Sequence, residues 1–364
     1  MRIAHVVTYV SADGAFGGPV AVAAGQAEEL ARRGHSVDFL AGWDGEATLA
    51  IPGVNVRLFP VKKIAPGLSG LVSPALLSFL SSSAGGYDAV HIHVGRDFVT
   101  LPATMTVLAK RRRVFMQTHG MVMPDSRLRA RLLDAVLTRR ALSRADVVFV
   151  LTDAETKGVA RVARSKRTRM TRIPNGVAVR DVGPDRRTDP PIVLFLARLH
   201  PRKRVLAFAE AARLMLEQGA NVRFRVIGPD EGDLAALLEM KRLHRLDALE
   251  YMGAIASGES AEQLAEAAVY VLPSFGEVFP MTVLESFVAG TPVVLTDECA
   301  IAPELAKRGA VEPTTGEPSD IARAVALLLN DPGLRARRVA SANMALTDWL
   351  AIGAVADRLE EAYA

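Results

Sequence analysis

The chain is poor in several things at once. Its 364 residues include a single cysteine, Cys299, which excludes an intrachain disulfide and a thiolate metal cage and agrees with a reducing compartment. The plainest role for Cys299 is that of a small buried hydrophobe. Although half of the residues are apolar, no apolar run approaches the roughly 20 residues a transmembrane helix needs. Met1 to Val10 reads as a strand that starts at once, without the apolar segment and small-residue cleavage site of a secretory leader, so a cytoplasmic place is expected. Aromatic residues make up only 5%, and none is interleaved with the basic clusters to stack bases. With no zinc-finger or RNA-binding motif either, nucleic acid is not an expected partner. Asp-X-Asp, a common divalent-metal anchor, is also missing.

What is present is length for two α/β domains and a net charge of +4 that is unevenly spread. Lys110, Arg111, Arg112, Arg113, Arg127, Arg129, Arg131, Arg139, Arg140 and Arg144 stand against only Asp125 and Asp134 in the same stretch. A second cluster follows in Arg161, Arg164, Lys166, Arg167, Arg169 and Arg172. Such surfaces attract phosphates on a membrane or a lipid carrier; solvated helix faces are an equally good account.

Short β-branched runs alternate with helical stretches. Ile3 to Thr8, His35 to Leu40, Val54 to Phe59, Ala89 to Val94, Val114 to Thr118 and Val147 to Leu151 read as strands. A helix enters through Pro19 and stops at Gly34. This pattern predicts a doubly wound parallel sheet in residues 1–181. VGPDRRTDPP, residues 182–191, has the composition of a linker. A second cycle occupies 192–342, with strands at Ile192 to Ala197, Val222 to Ile227, Leu249 to Met252, Val269 to Leu272 and Val293 to Leu295, and helices from Val205, Asp233, Ala261 and Met281. Asn343 to Ala364 reads as a terminal helix, which pattern alone does not assign to either domain; it is expected to pack back on the first.

In parallel sheets, ligands bind beyond the carboxyl ends of the strands. Gly14, Gly17 and Gly18, before Pro19, suit a phosphate or sugar, but they do not form the GxGxxG dinucleotide fingerprint, so a nicotinamide oxidoreductase is a weak alternative. His119-Gly120 follows a strand end; a lone histidine is more often structural. His91 and His93 share one face of a strand, yet no third metal ligand is evident, and packing is the better reading. Arg198 and Lys203 bracket one loop with a fixed guanidinium and a mobile ammonium, as a pyrophosphate leaving group requires. In SFGEVFPMTVLE, residues 274–285, Glu277 lies in a loop and Glu285 one turn into a helix. Two carboxylates beside an apolar face need hydroxyl or amide donors, and sugar and ribose hydroxyls are such donors. A helix-capping Glu277 with a solvated Glu285 is the bland alternative.

Together GGP at 17–19, HIH at 91–93, THG at 118–120, PNGV at 174–177, the Arg198 and Lys203 pair, VIGPD at 226–230 and EX7E at 277–285 resemble the retaining glycosyltransferases of family 4. The resemblance runs through essentially the whole chain. It implies a GT-B fold, two Rossmann-like domains facing a central cleft, with the acceptor on the first and a nucleotide-diphosphate sugar (UDP or GDP) on the second. By this resemblance Arg198 and Lys203 bind the donor diphosphate, with the amides of Gly17 or Gly18 closing over it. Glu285 holds the ribose; Glu277 and the amides near Phe279, Pro280 and Met281 hold sugar hydroxyls; Ile227 and Gly228 border the base. His119 lies beside the transferred sugar near its primary hydroxyl, so His119, Arg198, Lys203 and Glu277 are the expected catalytic group. No metal or other cofactor is implied. The family often has Gly right after the lysine, where this chain has Arg204. Transfer of a hexose to a hydroxyl acceptor, in particular a lipid-linked or other glycan intermediate of polysaccharide synthesis, is the implied activity, with the basic 110–144 region as a peripheral membrane contact. A GT-B nucleotide-sugar epimerase and an inactive nucleotide-sugar-binding protein are the alternatives.

Overall fold

A computed structural model describes residues 1–11, 17–179, 188–255 and 258–364; the side chains of residues 17 and 68 are outside the description. The chain divides into two compact units, Met1–Ala178 with Ile352–Ala364, and Val179–Ala351.

In the first unit the strands are β1 (Arg2–Val10), β2 (Ser36–Trp43), β3 (Asn55–Pro60), the short antiparallel pair β4 (Lys62–Lys63) and β5 (Leu71–Val72), β6 (Ala89–His93), β7 (Val114–Gln117), β8 (Val147–Val150) and β9 (Met170–Arg172). Seven of them form one parallel sheet in the order β3-β2-β1-β6-β7-β8-β9. Its helices are α1 (Gly17–Arg32), α2 (Pro74–Ser83), α3 (Thr100–Ala109), α4 (Leu128–Leu133), α5 (Arg139–Arg144) and α6 (Asp153–Ala163). Period-two alternation sorts side chains onto two faces. Ala4, Val6, Val90, Ile92, Val114 and Met116 enter one core layer. Ile3, Val7, Phe39, Phe115 and Phe149 enter the other, which α1 and the last helix, α14 (Ile352–Tyr363), cover. By the same parity His5, His91 and His93 fall on that second face, and all three are fully buried.

The second unit is built from β10 (Ile192–Leu196), β11 (Arg223–Ile227), β12 (Leu249–Tyr251), β13 (Val269–Leu272), β14 (Val293–Thr296) and β15 (Glu312–Thr314), in the order β12-β11-β10-β13-β14-β15. Helices α7 (Val205–Glu217), α8 (Leu234–Leu243), α9 (Ser260–Glu266), α10 (Met281–Val288), α11 (Ala302–Lys307), α12 (Pro318–Asn330) and α13 (Pro332–Ala345) accompany it. Val205, Phe208, Ala209 and Ala212 of α7 recur at helical spacing and pack on Phe195 and Phe224 of the sheet. Burying Phe208 alone contributes about 2–3 kcal/mol before packing terms.

The tail departs from the single helix expected over Asn343–Ala364. Asn343 lies inside α13, a π-helical turn follows at Leu346–Leu350, and Ala351 turns extended (φ −63°, ψ 138°) before α14 begins. Trp349 and Leu350 are buried in the second unit, whereas Val355, Leu359 and Tyr363 are buried in the first. Apolar periodicity runs through both pieces, which is why pattern alone reads them as one helix. Of the linker assigned to 182–191, residues 182–187 lie outside the described residues.

Candidate functional site

In each sheet the strand order reverses at one point, between β1 and β6 in the first unit and between β10 and β13 in the second. The loops diverging from such a point leave a crevice at the carboxyl ends of the strands. In the second unit Arg198 and Lys203 follow β10, and Ser274 to Glu277 follow β13.

The ammonium of Lys203 stands 2.8 Å from the Glu277 carboxylate, and both side chains are about 85% buried, at 15% and 14% exposure. The Arg202 guanidinium also donates to Glu277, at 3.1 Å. Arg198 turns instead to Glu231, donating to both carboxylate oxygens at 2.6 and 2.7 Å. Lys203 and Glu277 therefore come together, while Arg198 holds a separate acid partner. Lys203 belongs to a short 3₁₀ turn, Pro201–Lys203, capped by His200, whose ring accepts from the Arg202 amide. Arg204 then adopts left-handed geometry (φ 58°, ψ 41°) at the start of α7. That conformation explains the glycine common in the family at this position, because a side chain there costs about 1–2 kcal/mol. The Arg204 side chain runs toward Glu298 and Glu317 at 3.8 and 3.4 Å and lies over Gly316.

Glu285 sits in the second turn of α10 and is partly buried. Burial raises its carboxyl above the ordinary value, and a hydrogen bond from the Ser260 hydroxyl pulls it back down. The first turn of α10 carries no acid and no side-chain cap, so its amides at Met281 and Thr282 remain available to a ligand. Phe279 and Pro280 are buried, and the Phe279 ring packs edge-on against Trp349 at 6.3 Å. It is the Phe279 backbone, not its ring, that is left for binding. Ile227 is buried at the end of β11. Gly228 beyond it is fixed by contact: a Cβ there would lie 1.9 Å from the Ala197 carbonyl oxygen, and its φ is +150°.

In the first unit Gly14 lies outside the described residues, Gly17 opens α1, and the position of Gly18 has open space around it. His119 (φ 48°) follows β7 and is partly exposed. Beneath it runs a line of imidazoles. His119 Nε2 is 2.8 Å from His93 Nδ1, and His93 Nε2 is 3.0 Å from His5 Nδ1. His91 stacks on His93 at 4.5 Å and places Nδ1 2.6 Å from the Tyr363 hydroxyl of α14. Burial pushes His5 from the ordinary 6.5 down to about 3, and the partial enclosure of His119 lowers it as well. His91 and His93 are held well below 6.5, by burial first and by neighbouring imidazoles second.

The sequence reading found no third partner for His91 and His93. The structure supplies it in His5, whose register partner across β1 and β6 is His91. Nitrogens of the three lie within 4.8 Å of one another, but the His5–His93 contact already pairs two of them, so a cation would have to break that bond to bind all three. Glu155 was missed as well. Its carboxylate accepts from the Thr118 hydroxyl, the Gly120 amide and the Leu151 amide, pinning the loop that carries His119. Thr152 and Glu155 have the spacing of a capping box, and Thr152 Oγ1 accepts from the Glu155 amide at 3.1 Å; that motif was the available signal. Cys299 is free and buried, and burial pushes its thiol up to about 11, which suits the packing role expected of it.

Comparison with known proteins identifies the family and the fold. Residues 17–176 match the family profile "Glycosyl transferase 4-like domain", and residues 182–344 match "Glycosyl transferases group 1". Anabaena HepE crystallised with UDP superposes with a TM-score of 0.78 at 17% identity, over 99% of each chain. The fold is that of the GT-B glycosyltransferases, two doubly wound parallel sheets. Among curated relatives, the N,N'-diacetylbacillosaminyl-diphospho-undecaprenol α-1,3-N-acetylgalactosaminyltransferase of Campylobacter jejuni is 36% identical over 40% of this chain and 37% of its own. D-inositol 3-phosphate glycosyltransferase 2 of Catenulispora acidiphila is 26% identical over 77% of this chain and 73% of its own. The chain spans about a third of the length of the curated relatives it matches at 34–36% identity. It belongs to the family 4 glycosyltransferases, a family of transferase enzymes.

Proposed function

We propose that this protein transfers a hexose from a nucleotide-diphosphate sugar to a hydroxyl acceptor with retention at the anomeric carbon. The observation that carries the reading is the pairing of Lys203 with Glu277 at the strand-order switch of the second unit. As the glycosidic bond to phosphate breaks, the sugar becomes oxocarbenium-like and the departing diphosphate gains negative charge. Lys203 and Arg198 stabilise that charge, the free amides of α10 add their dipoles, and Glu277 is released to accept sugar hydroxyls. Glu285 takes the ribose hydroxyls, which replace its lost solvation. His119, held by its loop, contacts the transferred sugar.

No divalent metal enters this reading, since the two basic side chains supply the positive charge; transfer undiminished by EDTA is the expected result. A thermal-shift screen of UDP, GDP and their sugars identifies the donor. A transfer assay with that donor then tests the activity, with Glu277→Ala expected to lose most of it. Turnover of a UDP-sugar without any acceptor would favour an epimerase, and a Glu277→Ala variant equal to wild type would favour a binding protein.

The acceptor in this reading is lipid-linked or membrane-associated, in a polysaccharide pathway at the inner face of the membrane. Support comes from the helical rod of α4, the π-helical turn Asp134–Thr138 and α5. Leu128, Leu132 and Val136 are 79%, 64% and 60% exposed and recur every four residues. Arg127, Arg129, Arg131, Arg140 and Arg144 are exposed around them. An apolar stripe flanked by arginines is the composition of a helix lying in an anionic interface. The rod is held from below by Arg96, which bonds Asp134 at 2.8 Å. Flotation on anionic vesicles at low salt is expected for the wild type, with Leu128→Glu/Leu132→Glu sharply weakened; a wild type that stays at the bottom removes this part of the reading.

A further inference from the structure

The imidazole line under His119 has a direction. The four histidines are neutral at pH 7, so each carries one ring proton. Each hydrogen bond in the line needs one donor and one acceptor. His5 Nε2, at the buried end, has no hydrogen-bond partner among the described residues. A buried N–H without an acceptor is rarer and costlier than a buried lone pair without a donor, so the His5 proton belongs on Nδ1. His93 Nε2 must then accept it, which puts the His93 proton on Nδ1. That proton is donated to His119 Nε2, which leaves the His119 proton on Nδ1.

We propose that His93, with His5 donating to its far nitrogen, is a positioning residue that fixes His119 in the Nδ1–H tautomer, so that the loop after β7 presents an N–H donor to an oxygen of its ligand. Free imidazole side chains favour the opposite tautomer, so the setting is imposed by the fold. The second bond on the loop, Glu155 to the Gly120 amide, holds the ring's base while His93 sets its proton. With the sugar as the ligand, this inference rests on the placement of His119 in the proposed function; the tautomer itself does not.

The test is long-range ¹H–¹⁵N correlation on the full chain with ¹⁵N-labelled histidine, the His119 signals being assigned by their loss in His119→Gln. The wild type should show a protonated Nδ1 and an acceptor-type Nε2 on His119. His93→Phe removes the bond and should return His119 to a mixture rich in Nε2–H. Should His93→Phe fail to fold, the wild-type spectrum itself decides, since His5 and His93 should both carry their proton on Nδ1 as well. Transfer should follow, with kcat/KM down about tenfold in His93→Phe, as for one lost hydrogen bond. An Nε2–H tautomer on His119 in the wild type, a proton on His93 Nε2 there, or an Nδ1–H tautomer on His119 unmoved in His93→Phe overturns the proposal. Tautomers that shift as stated with transfer unaffected would uphold the relay and overturn the placement of His119 beside the sugar.

Discussion

The two units answer the same geometric demand in opposite ways. Each reverses its strand order once and gathers polar side chains at that point, yet the first unit buries uncharged imidazoles and the second pairs opposite charges, from the largely buried Lys203–Glu277 to the exposed Arg198–Glu231. Neutral groups survive burial if they hydrogen-bond to one another, as His5, His93 and His119 do. Charged groups survive only with a partner of opposite sign. A site for a hydroxyl-rich ligand can be built the first way; one for a pyrophosphate needs the second.

The contrast should appear most strongly in acid. The buried histidines have folded values depressed below their unfolded 6.5. Their contribution to stability is fully present above that value and drains away as pH falls toward about 3, because the unfolded chain takes up protons first. At about 1.4 kcal/mol for each unit, His5 alone should cost the fold about 2 kcal/mol at pH 5 relative to neutral pH. Denaturant unfolding at the two pH values should show more than this loss in the wild type, where His91 and His93 add to it, and a loss smaller by about 2 kcal/mol in His5→Leu. Equal losses would erase the distinction drawn between the units.

A smaller effect separates the charges of the second unit from one another. Arg198 and Glu231 form an exposed pair, with Arg198 58% accessible, and such pairs contribute little to stability. Glu231→Gln should change the unfolding free energy by less than about 0.5 kcal/mol while strengthening nucleoside-diphosphate binding a few-fold, because the carboxylate no longer competes for Arg198. Calorimetry and melting on the same variant sharpen the comparison, and weaker binding would mean that Glu231 serves the ligand rather than rivals it.

Much of the scaffold was legible in the sequence for a simple reason: buried parallel strands are continuous apolar runs, and VVTYV, VFMQ, VVFV, IVLFL and VYVL are hard to read otherwise. Strands β9 and β15 escaped because Met170–Arg172 is polar and Glu312–Thr314 short and proline-bearing. The positions of the charged side chains were legible too, since Arg198, Lys203 and Glu277 fall in the segments after strand ends and Glu285 in the helix that follows. What the sequence hid were partnerships between distant segments. His5 lies 88 residues from His93, and Arg202 lies 75 from Glu277. Only sheet register brings such pairs together. Arg204 shows the reverse, a departure noticed in the sequence whose meaning, a left-handed residue opening α7, required the backbone.

The most direct test of the account is calorimetric titration of the donor identified by the thermal-shift screen into wild type, Lys203→Ala and Glu285→Ala. Loss of a charge-assisted contact in each should cost about 2 kcal/mol, roughly thirtyfold in Kd, with the fold intact. Variants that bind as tightly as the wild type would show that the crevice at β10 and β13 is not where the nucleotide sugar is held.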